Sequence, residues 1–224
     1  MLHSRLFRVN PLETNCTVLW LEGHTRCIIV DPGMSSPESL KELKDFLKEE
    51  YLEPEAILLT HGHFDHVWGV EKLVADFPAI KVYEHPADKD IMDKMVTGRF
   101  AEGFSFLRHD FPTLDVADGD SLEIAGICIE VLHTPGHSPG SVCYYIKAHN
   151  LLLCGDTLFA GSIGRTDLTG GDYDQLMDSL LHKVMVLPGE TDVIPGHGYP
   201  TTIGREAMTN PFLEPFNDPE VPQE

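Results

Sequence analysis

Thr60-His61-Gly62-His63-Phe64-Asp65-His66 crowds four potential metal ligands into six positions, directly after the apolar run Ala56-Ile57-Leu58-Leu59. That run is short and wholly apolar, which predicts a strand buried on both faces whose C-terminal end opens on a cleft. His61 and His63 stand at i and i+2, so an extended or turning backbone can point both imidazoles to one side, where they share a cation. Asp65 and His66 follow once Gly62 has let the chain turn, and they are placed to face a second cation. Imidazoles with a carboxylate form a borderline-hard donor set that suits Zn, Fe or Mn rather than Ca or Mg. One histidine would read as a surface turn; the whole H-x-H-x-D-H string reads as a metal centre.

Three later stretches repeat the design of an apolar strand followed by glycine and one ligand type. They are Thr134-Pro135-Gly136-His137-Ser138, Cys154-Gly155-Asp156-Thr157 and Pro195-Gly196-His197-Gly198. Glycine there permits a sharp turn and brings a side chain close to a crowded centre.

Between these points the chain reads as alternating strands and helices. Thr17 to Leu21 and Arg26 to Val30 form a hairpin across Glu22-Gly23-His24-Thr25. Asp31, at the end of the second strand, fits either a turn former or a hydrogen-bond partner behind a ligating histidine. Ser36-Pro37 opens an amphipathic helix to Glu50 with Leu40, Leu43, Phe46 and Leu47 on one face. Pro54 restarts the chain into the buried strand, completing a β-α-β unit, and a helix from about Val70 to Phe77 leads to a strand at Lys81 to Glu84.

Residues 86–111 read as an insertion over the cleft, a polar helix with Asp88, Lys89, Asp90, Asp93 and Lys94 and then a loop whose Phe100, Phe104 and Phe106 fit either a substrate pocket or, the commoner role, anchors to the core. A second sheet is expected from Ile127 to His133, Ser141 to Ile146 and Leu151 to Cys154, with a tight turn at Ala148-His149-Asn150. Asp172 caps a helix from Tyr173 to about Val186, Asp192 to Ile194 is the last expected strand, and Thr202 to Thr209 a final helix. Residues 214–224, rich in proline and acids, are expected to be weakly ordered.

The chain has 224 residues, which suits one domain over 1–224. Its hydrophobic fraction of 42% and charged fraction of 23% are ordinary for a globular protein. A formal net charge of −20 counts against a nucleic-acid partner, because such a surface repels phosphate backbones. Arg5 and Arg8 interrupt the N-terminus before any signal-peptide run, and no apolar run reaches membrane-spanning length, so a cytoplasmic protein with no membrane partner is expected. The five cysteines lack C-x-x-C spacing and read as reduced, mostly buried hydrophobes; Cys154, near Asp156, reads as strand core.

The ordered set H-x-H-x-D-H, H, D, H, with its strand and helix order, resembles the metallo-β-lactamase fold from about Phe7 to Thr209. The resemblance implies an α/β fold, an αββα sandwich of two facing mixed sheets with helices outside and metals at one edge. It implies His61, His63 and His137 on a first metal, Asp65, His66 and His197 on a second, and Asp156 bridging both; the cofactors are two divalent metal ions, Zn by expectation, with Fe or Mn as the other fits. Within the superfamily the chain is similar to glyoxalase II, hydroxyacylglutathione hydrolase, and specifically to short bacterial forms, because only a brief segment follows His197 where full-length glyoxalase II has a helical domain.

Asp156-Thr157-Leu158-Phe159 and Ser162-Ile163-Gly164-Arg165 look like the family segment whose basic residue holds a carboxylate of the thiol moiety. Arg165 stands where lysine is usual, and a salt bridge to Asp167 is the competing role. Tyr199 is similar to a tyrosine contacting the same thiol group. The implied reaction is attack of a metal-bridging hydroxide on the carbonyl of a small-molecule thioester, with Asp65 and Asp156 catalytic and no serine nucleophile, Ser138 and Ser141 having no evident base. An iron-dependent persulfide dioxygenase of the same fold shares a Gly-Arg-Thr-Asp stretch like Gly164-Arg165-Thr166-Asp167 and stays open, as do the acyl group, the thiol and the oligomeric state.

Overall fold

A computed structural model describes residues 1–89, 91 and 111–214. Its first sheet is built, in spatial order, from β1 (Leu2–Val9), β2 (Thr14–Leu21), β3 (Arg26–Val30), β4 (Glu53–Leu58), β5 (Lys81–Glu84) and β6 (Thr113–Asp115). β1 to β3 are joined as antiparallel neighbours, whereas β3 to β6 run parallel and need crossovers. The β3–β4 crossover is α1 (Pro37–Glu49). Ser36 caps it by accepting from the Ser39 amide at 3.1 Å, Pro37 sits where no amide is needed, and Leu43 and Leu47 face inward. After β4 come the single turn α2 (Phe64–Val67) and then α3 (Val70–Asp76).

The second sheet takes β7 (Ser121–Ile124), β8 (Ile127–His133), β9 (Val142–Ile146) and β10 (Leu151–Gly155). A ribbon of β11 (Leu158–Phe159) and β12 (Ser162–Ile163), then α4 (Tyr173–Ser179), lead to β13 (Asp192–Pro195), β14 (Thr201–Thr202) and α5 (Ile203–Thr209). The order across this sheet is β14-β13-β10-β9-β8-β7.

β4 shows why the sheets face each other. Ala56 and Leu58 pack between the sheets with Val131, Tyr144 and Leu153, while Ile57 points the other way, among Leu43, Leu47 and Leu73 of the helices. Beyond the second sheet, Leu152, Cys154 and Val193 meet Leu176, Leu180 and Ile203. The αββα sandwich expected from the resemblance is the architecture observed. Cys154 is fully buried in that outer layer, as strand core.

Several elements differ from expectation. β1 is hard to read in the sequence because its exposed Ser4, Arg5 and Arg8 mask the buried Phe7 and Val9. β13 is not the last strand, since Thr201–Thr202 folds back antiparallel on Asp192 and Val193. The helix expected to about Val186 is α-helical only to Ser179 and then widens to a π turn over Leu180–Val184. Asp88, expected on a polar helix, ends a short 3₁₀ turn, Pro86–Asp88, and is buried. Phe100, Phe104, Phe106, most of the expected insertion and the tail beyond residue 214 lie outside the described residues.

Candidate metal centre

His61 and His63 leave the end of β4, Asp65 and His66 ride the α2 turn, His137 follows β8, Asp156 follows β10 and His197 follows β13. The fold brings all seven together at one edge of the sandwich. Within the trio His61, His63 and His137, and within the trio Asp65, His66 and His197, the candidate donor atoms lie within 4.8 Å of one another. His63 Nδ1 is 2.8 Å from His137 Nε2. His197 Nε2 is 3.2 Å and His66 Nε2 3.4 Å from Asp65 Oδ2. Asp156 stands between, with Oδ1 3.5 Å from His66 Nε2 and Oδ2 3.6 Å from both His137 Nε2 and His197 Nε2. Gly196 makes this approach possible: a Cβ there would stand 2.1 Å from Asp156 Oδ1.

Three of these buried atoms, His61 Nε2, His66 Nε2 and Asp156 Oδ1, have no hydrogen-bond partner among the described residues. Each such orphan costs roughly 1–3 kcal/mol. Buried nitrogen and oxygen donors gathered within 4.8 Å of one another are what a divalent cation needs, so the residues present fit the group. His66 is fully buried while the His197 side chain is 27% exposed, so access is from the His197 side.

The outer nitrogens are spoken for. His66 Nδ1 lies 2.9 Å from Asp31 Oδ2, His137 Nδ1 is 2.8 Å from the Arg165 carbonyl, and His197 Nδ1 is 3.0 Å from the Leu12 carbonyl. Those oxygens only accept, so Nδ1 carries the proton and Nε2 faces the centre. Asp31 serves both roles foreseen for it: it turns the chain at φ 49° and it orients a histidine. Its Oδ2 also accepts from the Thr60 hydroxyl at 2.6 Å, and Thr60 Oγ1 lies 3.1 Å from His61 Nδ1.

Charge follows this layout. Burial, then the neighbouring imidazoles, holds His61 well below the usual histidine range, and burial with His137 pushes His63 down to about 3. Burial opposes charge on His66 too, but Asp65, Asp156 and Asp31 outweigh it and lift the ring to about 10. Burial would raise Asp65, yet His66, His197 and the Thr14 hydroxyl hold it below the usual carboxylate range.

Sequence reading missed the groups behind the ligands. Thr14 donates to Asp65 Oδ2 at 2.8 Å, Asn10 Nδ2 to the Asp65 carbonyl at 3.0 Å, and Asn15 Nδ2 to the Pro195 and Gly198 carbonyls at 2.9 and 3.1 Å. The available signal was a pair of polar residues, Thr14 and Asn15, opening a strand that is mostly apolar after them. Ser138 and Ser141 share a hydrogen bond of 2.7 Å. Arg165 forms the competing salt bridge, donating to Asp167 through Nε at 2.7 Å and a terminal nitrogen at 2.8 Å. Tyr199 is exposed, with the Arg8 guanidinium 4.7 Å over its ring.

An αββα sandwich with a histidine and aspartate nest at one edge is a metallo-hydrolase architecture. The model of the metallo-beta-lactamase superfamily matches residues 9–197, and the chain belongs to that superfamily. It is 38% identical to a probable metallo-hydrolase, YqgX, of Bacillus subtilis, covering 95% of this chain and 98% of the relative. It is 30% identical to the hydroxyacylglutathione hydrolase GloC of Haemophilus influenzae, with coverage of 95% and 98%.

Among solved structures, BLEG-1 B3 metallo-beta-lactamase superposes with a TM-score of 0.83 at 39% identity, over 94% of this chain and 99% of the other. TTHA1623 in a di-iron-bound form gives 0.81 at 39% identity over 93% and 100%. ETHE1 from Myxococcus xanthus gives 0.76 at 25% identity over 99% and 92%. Among the described residues no helix is long and apolar enough to cross a membrane.

Proposed function

We propose that the chain is a two-cation thioester hydrolase acting on hydroxyacylglutathione-like substrates. The observation that carries the reading is the convergence of His61 Nε2, His66 Nε2 and Asp156 Oδ1, buried and without a hydrogen-bond partner among the described residues, on one edge of the sandwich. Similarity to a hydroxyacylglutathione hydrolase along nearly its full length supports the substrate class.

In this reading His61, His63 and His137 hold one divalent cation, Asp65, His66 and His197 the other, and Asp156 offers an oxygen to each. Zn is the proposed metal; the di-iron form of TTHA1623 makes Fe the next to test. Bound cations supply a water acidic enough to ionise near neutral pH and a Lewis acid for the thioester carbonyl.

The protein's part is orientation. Asp31, the Arg165 carbonyl and the Leu12 carbonyl keep three imidazoles turned with Nε2 inward, and Thr14 fixes the Asp65 carboxylate. Asp65 acts as catalytic carboxylate beside the attacking water. The thiolate product needs no protonation to leave, since thiols ionise near pKa 8.5. Arg165 and Tyr199, at the exposed rim, are the proposed substrate contacts; a substrate carboxylate would compete with Asp167 for the Arg165 fork. The five unpaired cysteines accord with a reducing, cytoplasmic setting.

The test is metal analysis of purified protein with turnover of S-lactoylglutathione and oxygen uptake followed together. Near two cations per chain and acid release without oxygen consumption is the expected result. One iron per chain with persulfide-dependent oxygen uptake would replace the hydrolase with a dioxygenase.

A further inference from the structure

The trio His61, His63 and His137 belongs to two loops far apart in sequence, and one carboxylate joins them. Asp88, at the end of the turn after β5, is 1% exposed. Its Oδ2 accepts from the Gly62 amide at 2.8 Å and from the Ser138 hydroxyl at 2.7 Å, and its Oδ1 from the Gly140 amide at 2.5 Å. Gly62 lies between His61 and His63, and Ser138 directly follows His137. Gly140 is glycine for this reason: a Cβ there would stand 2.7 Å from the Asp88 carboxyl carbon. Ser141 closes the second loop on itself, its hydroxyl accepting from the Ser138 amide at 3.2 Å.

We propose that Asp88 is a positioning residue for the first cation site, clamping the His61/His63 loop to the His137 loop so that three ring nitrogens meet at one point. This rests on the two-cation reading above. Asp88 touches neither substrate nor the facing ligand atoms; it acts through the backbone beside them. The second trio is held by other means, with Asp65 and His66 on one helical turn and His197 tied to the Leu12 carbonyl. The clamp therefore makes a selective demand: its loss weakens one cation and spares the other.

Chelated wild type, Asp88→Asn and Ser138→Ala are titrated with Co(II), with stoichiometry read from visible absorption and affinity from competition with a chelator. Asn keeps the shape but turns an NH₂ toward donors, so Asp88→Asn should weaken one equivalent by about 10- to 100-fold and the other by less than about threefold. Ser138→Ala, which leaves both amide bonds, should weaken the same equivalent by about threefold. In a His197→Ala background, which keeps only the first trio intact, Asp88→Asn should still show its full effect.

Wild-type affinity for both equivalents in Asp88→Asn would overturn the proposal. So would equal weakening of both in step with a fallen melting temperature, the mark of a merely structural role. If Asp88→Asn does not fold, Ser138→Ala decides, and an unchanged first equivalent is the overturning result. A wild-type chain that takes up no cobalt would overturn the two-cation reading itself, and the clamp with it.

Discussion

Asp31 Oδ2 lies 2.9 Å from His66 Nδ1 and 2.6 Å from the Thr60 hydroxyl, whose oxygen is 3.1 Å from His61 Nδ1. One carboxylate thus orients a histidine of each trio. Asp31→Asn should weaken cation binding by about 10- to 100-fold, measured by chelator competition. Asp31→Ala should do the same and also lower stability by about 1–2 kcal/mol more, because φ of 49° suits Asn far better than Ala. Equal melting temperatures for the two variants would remove the backbone part of this account.

Asp156 has oxygens 3.5–3.6 Å from ring nitrogens of both trios. Asp156→Ala should cut thioester turnover by on the order of a thousandfold or more, several kcal/mol of barrier, and lower the cation count in the same preparation. Full turnover with full metal loading would refute the bridging role.

Arg165 is already paired with Asp167. Replacing Asp167 with Asn should free the guanidinium and lower KM for an anionic thioester, while Arg165→Gln should raise it about tenfold with kcat little changed. A neutral thioester should distinguish neither variant from wild type, and a kcat effect common to both substrates would move Arg165 from binding to support of His137.

Without cations, stability is bounded on two sides. His61 and His63 are held neutral by burial, the latter pushed down to about 3, so their contribution is whole above the unfolded value of about 6.5 and is lost as pH falls toward 3. His66 works in the opposite sense: burial disfavours its charge, but Asp65, Asp156 and Asp31 raise it to about 10, so its contribution is whole below about 6.5 and is lost as pH rises through 10. The melting temperature of the chelated protein should therefore peak near neutrality, and Zn should flatten the alkaline limb by taking the place of the proton. An alkaline limb unchanged in His66→Gln would show that it arises elsewhere.

Burial pushes the Cys27 thiol up to about 12, with Glu53 adding to the effect, and Cys143 up to about 11, while Cys16 and Cys154 are also raised by burial. Cys128 is exposed. Iodoacetamide at neutral pH should label Cys128 alone in the folded protein and all five cysteines after denaturation, a pattern read by peptide mass spectrometry.

What could be read in the sequence was what local pattern encodes. Ser36-Pro37 announces α1, and the histidine string after an apolar run announces the centre. The layer order also came through, because the ordered ligand set resembles one fold. What could not be read depends on partners distant in the chain. Asp88 looks like a solvated acid until its donors arrive from 26, 50 and 52 residues away. β1 hides among exposed arginines because an edge strand is patterned on one face only, and the π turn at Leu180–Val184 leaves the helical repeat almost intact.

The placement of the seven centre residues also sets an order in time. Ribosomes deliver His61, His63 and His137 well before His197, which is made only after β1 to β13 are complete. A chain stalled or clipped just short of Gly196 would own one whole histidine trio and two thirds of the other. It would also lack the Gly196 carbonyl that accepts from the Asn15 amide at 2.7 Å and ties the end of the second sheet to the start of the first. On the two-cation reading, the second site is therefore completed only when β13 and the turn after it have been made.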